Sequence, residues 1–216
     1  WKLICTTEKT GLRRNRPMEK REKKVIGITG GVGAGKSSVL NLLKTKFGAR
    51  IILADLVARD LMEPGTEGLC QVTKALGTGF LREDGLVDRK ALADLIFHDP
   101  EALTIINSII HPMVWEAIKT EVKEAKESLI LVEAAVFTTA PGDFFDELWY
   151  VHTDRENRIR RLMESRGYSR EKCESIIKSQ KPDSWYKSFC GRVIDNNGTE
   201  EETEKQLKEI LGHEIC

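Results

Sequence analysis

Long hydrophobic runs are missing from this 216-residue chain. The longest candidate, Leu129 to Phe137, is interrupted by Glu133 and falls short of the roughly 20 apolar residues that cross a bilayer as a helix. No membrane partner is expected. The apolar stretch at the start (Trp1, Leu3, Ile4, Cys5) is too short for a signal-peptide core, and Met18, just before the first strand signal, reads as the natural start. An excess of one charge is missing too. Lys plus Arg and Asp plus Glu both number 34, so no global basic field gathers nucleic acid, and an anionic ligand has to be held locally. The five cysteines (Cys5, Cys70, Cys173, Cys190, Cys216) are odd in number, scattered and never spaced Cys-x-x-Cys. That pattern excludes a disulfide framework and a thiolate zinc site, and it predicts a reducing, cytoplasmic setting. Internal repeats and low-complexity tracts are likewise absent.

What is present is enough for one sizeable core, with 40% hydrophobic and 31% charged residues. From Thr6 to Lys24 the chain is almost wholly polar, and its basic cluster (Arg13, Arg14, Arg16) has no interleaved aromatic residue; a flexible leader is predicted over 1–23. Order begins at Val25-Ile26-Gly27-Ile28-Thr29, an apolar, β-branched run that meets a glycine cluster, as a buried strand ending in a loop does. Val39, Leu42, Leu43 and Phe47 then recur at helical spacing and Gly48 stops the run, predicting a helix of about three turns. Ile51-Ile52-Leu53 reads as a second strand, so a right-handed βαβ unit is predicted, with both strands ending on one edge where their last residues meet. From Leu56 to Lys126 the pattern is helical. Asp88 is the expected N-cap of one helix, and Pro112 is expected in the first turn of another. Strand signals return at Leu129 to Val132, Leu148 to Val151 and Val193-Ile194, around an Arg-rich helix after Asp154 and before a terminal amphipathic one. The series predicts an α/β, doubly wound fold with a parallel sheet and helical insertions.

Gly30-Gly31-Val32-Gly33-Ala34-Gly35-Lys36-Ser37 matches G-x-x-x-x-G-K-[ST] in full and lies after a strand and before a helix. Glycines let consecutive N–H groups turn inward around a phosphate, and the following helix directs the positive end of its dipole at the same anion. In this motif Lys36 reaches the β- and γ-phosphates, Ser37 offers a hydroxyl to Mg²⁺, and Ser38 can touch the α-phosphate. A nucleoside triphosphate site is therefore predicted. The Asn- or Thr-Lys-x-Asp loop that reads guanine has only a failed match at Thr73-Lys74-Ala75-Leu76, the transporter-ATPase Ser-Gly-Gly signature is missing, and the chain is short for a motor. A small-molecule kinase remains. Such an enzyme needs an acid near the P-loop mouth, an acceptor pocket and a cationic lid. Asp55, straight after the second strand, is the candidate base, with the N-cap of the next helix as its alternative role. Glu133 ends the third strand and could hold a water on Mg²⁺, or serve as a structural carboxylate. Arg155, Arg158, Arg160, Arg161 and Arg166 crowd one helix, with Arg158 and Arg161 on the same side, as either a lid or a solvated face.

An ordered series of residues goes beyond the P-loop: Gly27 to Ser37, Ala54-Asp55, Ala58-Arg59, Pro64-Gly65, Asp84-Gly85, Asp88-Arg89, Ile96-Phe97, Ile110-His111-Pro112 and Val193-Ile194-Asp195-Asn196. In these residues, from Gly27 to about Gly198, the chain resembles the dephospho-CoA kinases, which phosphorylate the ribose 3′-hydroxyl of dephospho-CoA in the last step of coenzyme A synthesis. The resemblance implies a P-loop NTPase-type three-layer core over 24–55, 128–154 and 190–216, a helical domain for the CoA moiety over 56–127, and a helical lid over 155–189. It implies ATP and dephospho-CoA as substrates with Mg²⁺ as cofactor; a monomer is expected, although the sequence leaves the oligomeric state open. It makes Asp55 the catalytic base, Arg161 the lid arginine reaching ATP, Asn196 a neighbour of the adenine, and Arg59, Arg89 and His111 the surroundings of the acceptor.

The chain also departs from the family pattern. Leu53-Ala54-Asp55 stands where Asp-Ala-Asp is frequent, so Asp55 acts without a second acid. Ala135-Val136-Phe137-Thr138-Thr139 replaces a Pro-Leu-Leu run, Ile176 replaces a lid arginine, and Gly191-Arg192 lacks the Asp that commonly precedes the final strand. Two other readings stay open from sequence: a P-loop kinase for a nucleoside or nucleotide, and an ATP-binding module that transfers nothing.

Overall fold

A computed structural model describes residues 23–135, 137 and 143–212. Met18 and the predicted leader, apart from Lys23, lie outside the described residues, as do Val136, Thr138 and Thr139 of the loop noted above. Along the chain the elements are β1 (Lys24–Thr29), α1 (Lys36–Phe47), β2 (Arg50–Leu53), α2 (Ala54–Asp60), α3 (Glu67–Leu76), α4 (Arg89–His98), α5 (Pro100–Glu124), β3 (Leu129–Glu133), β4 (Glu147–His152), α6 (Arg155–Arg166), α7 (Arg170–Lys178), α8 (Asp183–Lys187), β5 (Arg192–Asp195) and α9 (Glu200–Gly212). The chain divides into two compact units, one comprising the residues up to Ile51 and from Ala125 onward, the other Ile52–Glu124. No described helix is long and apolar enough to cross a membrane.

The first unit carries the sheet, apart from the last two residues of β2, in the order β2-β3-β1-β4-β5. β1 pairs in parallel with β3 and β4, with Ile28 opposite Glu133 on one side and Thr29 opposite Tyr150 on the other. β4 pairs in parallel with β5. Burial explains the order. Val25, Ile26 and Ile28 of β1 and Leu129 to Val132 of β3 are buried, as strands covered on both faces must be, whereas β2 begins with exposed Arg50 and β5 exposes Val193, which suits edges. In this order β1 and β2 are not adjacent, because the more apolar β3 lies between them. Glu133 is the last residue of β3, a strand beside β1.

α1 ends where expected, at Gly48, whose φ of 65° is a left-handed cap that a side chain would resist. α9 packs against α1 and β5, burying Thr203, Leu207 and Leu211.

The second unit is helical, with α2, α3 and α4 each packed on α5. Asp88 caps α4 as predicted, its Oδ1 accepting from Lys90 N at 2.9 Å and Ala91 N at 3.1 Å. Pro112 departs from expectation. It lies inside the 25-residue α5, and Pro100 takes the first helical position behind Asp99, which accepts from Glu101 N and Ala102 N. An interior proline costs a helix about 3 kcal/mol. Here Ala102, Ile106, Ile110, Val114 and Ile118 form a buried stripe that runs past exposed Pro112, and its burial outweighs that cost.

Candidate active site

The octapeptide occupies the turn between β1 and α1, at the carboxyl edge of the central strand. In open parallel sheets that edge holds the ligand crevice where the strand order reverses. Gly33 and Gly35 have φ of 80° and 81° on either side of Ala34, conformations that L side chains rarely adopt. A Cβ on Gly35 would also run into Asn196 Nδ2, and one on Gly33 would come within 2.9 Å of the Arg158 carbonyl oxygen. Among the described residues, no protein acceptor takes the N–H of Gly33, Gly35, Lys36 or Ser37. Gly35 caps α1 without a side-chain bond, so the loop and the helix start together present a ring of unpaired donors suited to an anion. Lys36 Nζ donates to the Gly30 carbonyl at 2.8 Å and lies 3.5 Å from Glu133 Oε1, with both side chains mostly buried. Ser37 and Ser38 are exposed in the first turn of α1.

The back of the loop is tied down by parts of the chain far away in sequence. The Ala34 carbonyl accepts from Asn196 Nδ2 at 2.8 Å, Thr153 Oγ1 at 2.9 Å and an Arg161 guanidinium nitrogen at 3.3 Å. The other terminal nitrogen of Arg161 donates to the Asn196 carbonyl at 2.7 Å. The Val32 carbonyl accepts from Arg158 Nε at 2.9 Å, and Gln180 Oε1 accepts from both Val32 N and Arg158. Burial pulls the Arg158 guanidinium down from its ordinary pKa, against the upward pull of Tyr150 and Asp183. Tyr150 donates its hydroxyl proton to Asp183 at 2.8 Å and stacks on Tyr186 at a centroid distance of 4.7 Å; burial, then that bond, raises its pKa.

Of the residues singled out from sequence, Gly31 to Ser38, Glu133, Arg161 and Asn196 all fall within the first unit around the loop. Asn196 is buried, with Nδ2 on Ala34 and Oδ1 accepting from Thr203 Oγ1 at 3.1 Å, so both ends of its amide are engaged inside the protein. Asp55, Arg59, Arg89 and His111 belong to the second unit. Asp55 is exposed in the first turn of α2 and is not its cap; Leu53 holds that position without a side-chain bond, which removes the N-cap alternative. The Arg59 guanidinium pairs with Asp60 at 3.0 Å, Arg89 opens α4, and His111 is half-buried in α5, where burial lowers its imidazole pKa. Sequence reasoning missed Gln180, Thr153 and Thr203. Arg158 was visible only as the i, i−3 companion of Arg161, and no local pattern marks the others.

The family model described as dephospho-CoA kinase matches residues 24–202. A dephospho-CoA kinase of Geobacter sulfurreducens is 37% identical over 190 residues, covering 86% of this chain and 96% of that protein. One of Geobacter metallireducens is 39% identical over 190 residues, covering 85% and 92% respectively. Among solved structures, that of TT1252 from Thermus thermophilus superposes with a TM-score of 0.73 at 30% identity, over 89% of this chain and 98% of that one. The glycine-rich turn, its open donors and the series of residues along the chain thus share one explanation: the chain is a kinase and belongs to the dephospho-CoA kinase family.

Proposed function

We propose that the protein transfers the γ-phosphoryl group of ATP to the ribose 3′-hydroxyl of dephospho-CoA, giving coenzyme A and ADP. The observation that carries this reading is the set of unpaired N–H donors at Gly33, Gly35, Lys36 and Ser37 beside the Lys36 ammonium, in a chain of this family. Lys36 exchanges Gly30 and Glu133 for the β- and γ-phosphates, and Ser38 meets the α-phosphate. Among the described residues no cluster of His, Cys, Asp and Glu could hold a metal by itself. That donor set fits Mg²⁺ brought in on the nucleotide, with Ser37 as one protein oxygen and Glu133 holding a water. Bound there, the ion would neutralise charge on the β- and γ-phosphates.

Asp55 takes the proton of the acceptor hydroxyl as its oxygen bonds to the γ-phosphorus and the bond from that phosphorus to the bridging oxygen breaks, leaving ADP. Residues 56–127 receive the CoA moiety, with Arg59, Arg89 and His111 around it, and 155–189 form the lid. The free thiols of Cys70, Cys173 and Cys190 agree with a cytoplasmic enzyme.

The test is ADP release with ATP, Mg²⁺ and either dephospho-CoA or a panel of nucleosides and nucleotides, with products identified by mass. Phosphorylation of dephospho-CoA alone is expected; transfer only to another acceptor overturns the proposal. Asp55→Asn should lower turnover by about 10²-fold with ATP affinity nearly intact. Unchanged turnover removes Asp55 from the mechanism.

A further inference from the structure

In a trans peptide the C=O and N–H point in opposite directions, so holding a carbonyl on one side of the P-loop turns the next residue's N–H to the other. Two P-loop peptides are held in this way. The Val32 carbonyl is bound by Arg158, which turns the Gly33 N–H away from it; the Ala34 carbonyl is bound by Asn196, Thr153 and Arg161, which does the same for the Gly35 N–H. Among the described residues, no protein acceptor takes either of these two N–H groups. Gly33 and Gly35 carry no side chain that could anchor the turn, so its peptide planes depend on outside partners. Two of those partners share one helix. Arg158 and Arg161 lie one turn apart on α6, and Val32 packs against the cluster of Ile159, Leu162 and Cys173. Gln180 completes the hold by accepting from Val32 N and Arg158 together.

We infer that Arg158 and Arg161 are positioning residues, whose hydrogen bonds to the Val32 and Ala34 carbonyls aim the Gly33 and Gly35 amides at the β-phosphate of the nucleotide. This rests on the nucleotide site proposed above. It gives Arg161 a different duty from the lid contact with ATP that the family resemblance implies. One terminal nitrogen of Arg161 reaches the Ala34 carbonyl and the other the Asn196 carbonyl, so the planar fork holds both carbonyls in a fixed relation.

ADP and ATP both carry the β-phosphate, and only ATP carries the group that is transferred. Their affinities for the full chain, measured calorimetrically with Mg²⁺, therefore separate aiming of amides from contact with the moving phosphoryl. Arg161→Gln is expected to weaken ADP and ATP by the same factor, about tenfold, the worth of one charge-assisted hydrogen bond, with kcat at saturating ATP within about threefold of wild type. Arg161→Lys keeps the charge and loses the fork, so it should behave like Arg161→Gln. A fall of about 10²-fold in kcat with ADP affinity intact, partly restored by lysine, overturns the inference, and so do affinities and kcat that all stay at the wild-type value. Arg158 is buried, so Arg158→Lys is read with a thermal melt: a folded variant should lose ADP and ATP affinity in parallel, and a folded variant with wild-type ADP affinity speaks against it. A wild-type chain that binds ADP but phosphorylates no dephospho-CoA breaks the proposed function and leaves the ADP comparison standing. One that binds neither nucleotide overturns both.

Discussion

The two ends of the central sheet use similar chemistry to opposite ends. At the amino edge of β1, β4 and β5, Glu147 accepts from Trp149 Nε1 at 2.7 Å and Arg192 Nε at 2.9 Å, and lies 3.9 Å from Lys24 Nζ. Charges and donors there complete one another. At the carboxyl edge the Val32 carbonyl takes one donor and the Ala34 carbonyl three, while among the described residues no protein acceptor takes the amides of Gly33, Gly35, Lys36 and Ser37. Unpaired donors in a folded chain are costly, and a fold retains them where a ligand or water completes them. The contrast separates an edge that holds strands in place from one held ready for a phosphate.

The largest effect is expected where the open edge carries its charge. Lys36→Ala removes the ammonium held beside the Gly30 carbonyl and should cut turnover by about 10³-fold, measured by ADP release, with a lowered melting temperature because the mostly buried Glu133 carboxylate loses that cation. Retained turnover would break the contrast outright.

A smaller effect is expected behind the loop. Asn196→Ala deletes one of three donors on the Ala34 carbonyl and the acceptor of Thr203 Oγ1, and should cost about 1 to 2 kcal/mol in denaturant unfolding, together with a loss of ADP affinity. Lost stability without lost affinity would mean that the support and the open amides are independent.

The smallest effect belongs to the closed edge. Burial by itself would raise the Glu147 carboxyl, but bonds from Arg192 and Trp149 and the charge of Lys24 outweigh it and hold the carboxyl below the ordinary carboxylate value. A carboxyl lowered by folding lends stability that is complete above its unfolded pKa and is lost as pH falls through the folded one. Glu147→Gln should therefore cost about 1 kcal/mol at pH 7, lessen the loss of stability with acid below about pH 4.5, and leave ADP affinity alone. Unfolding curves across pH, paired with ADP titrations, measure both. A shift in ADP affinity would join the two edges that the structure keeps apart.

What could be read from the chain by itself follows from how local each feature is. The five strands were each marked by a compact apolar run, and Gly48 and Asp88 marked helix ends through their own backbone and side-chain chemistry. Pro112 misled because proline reads as a helix start, and only the stripe from Ala102 to Ile118 shows why the helix runs through it. Asp55 read as the candidate base, with the cap as a second role; the helix start at Ala54 removed the cap. The neighbours of β1 were not legible, since which strand lies beside which depends on how all five share burial.

The sequence by itself determined that a phosphate-binding turn exists, because the turn needs its glycines, lysine and serine at contiguous positions, and contiguity is what a sequence records. Only the tertiary structure decided how that turn is held. Arg158 meets the Val32 carbonyl across a separation of 126 residues and Asn196 meets the Ala34 carbonyl across 162. A hydrogen bond depends on distance and direction in space, and neither survives in the order of residues along a chain.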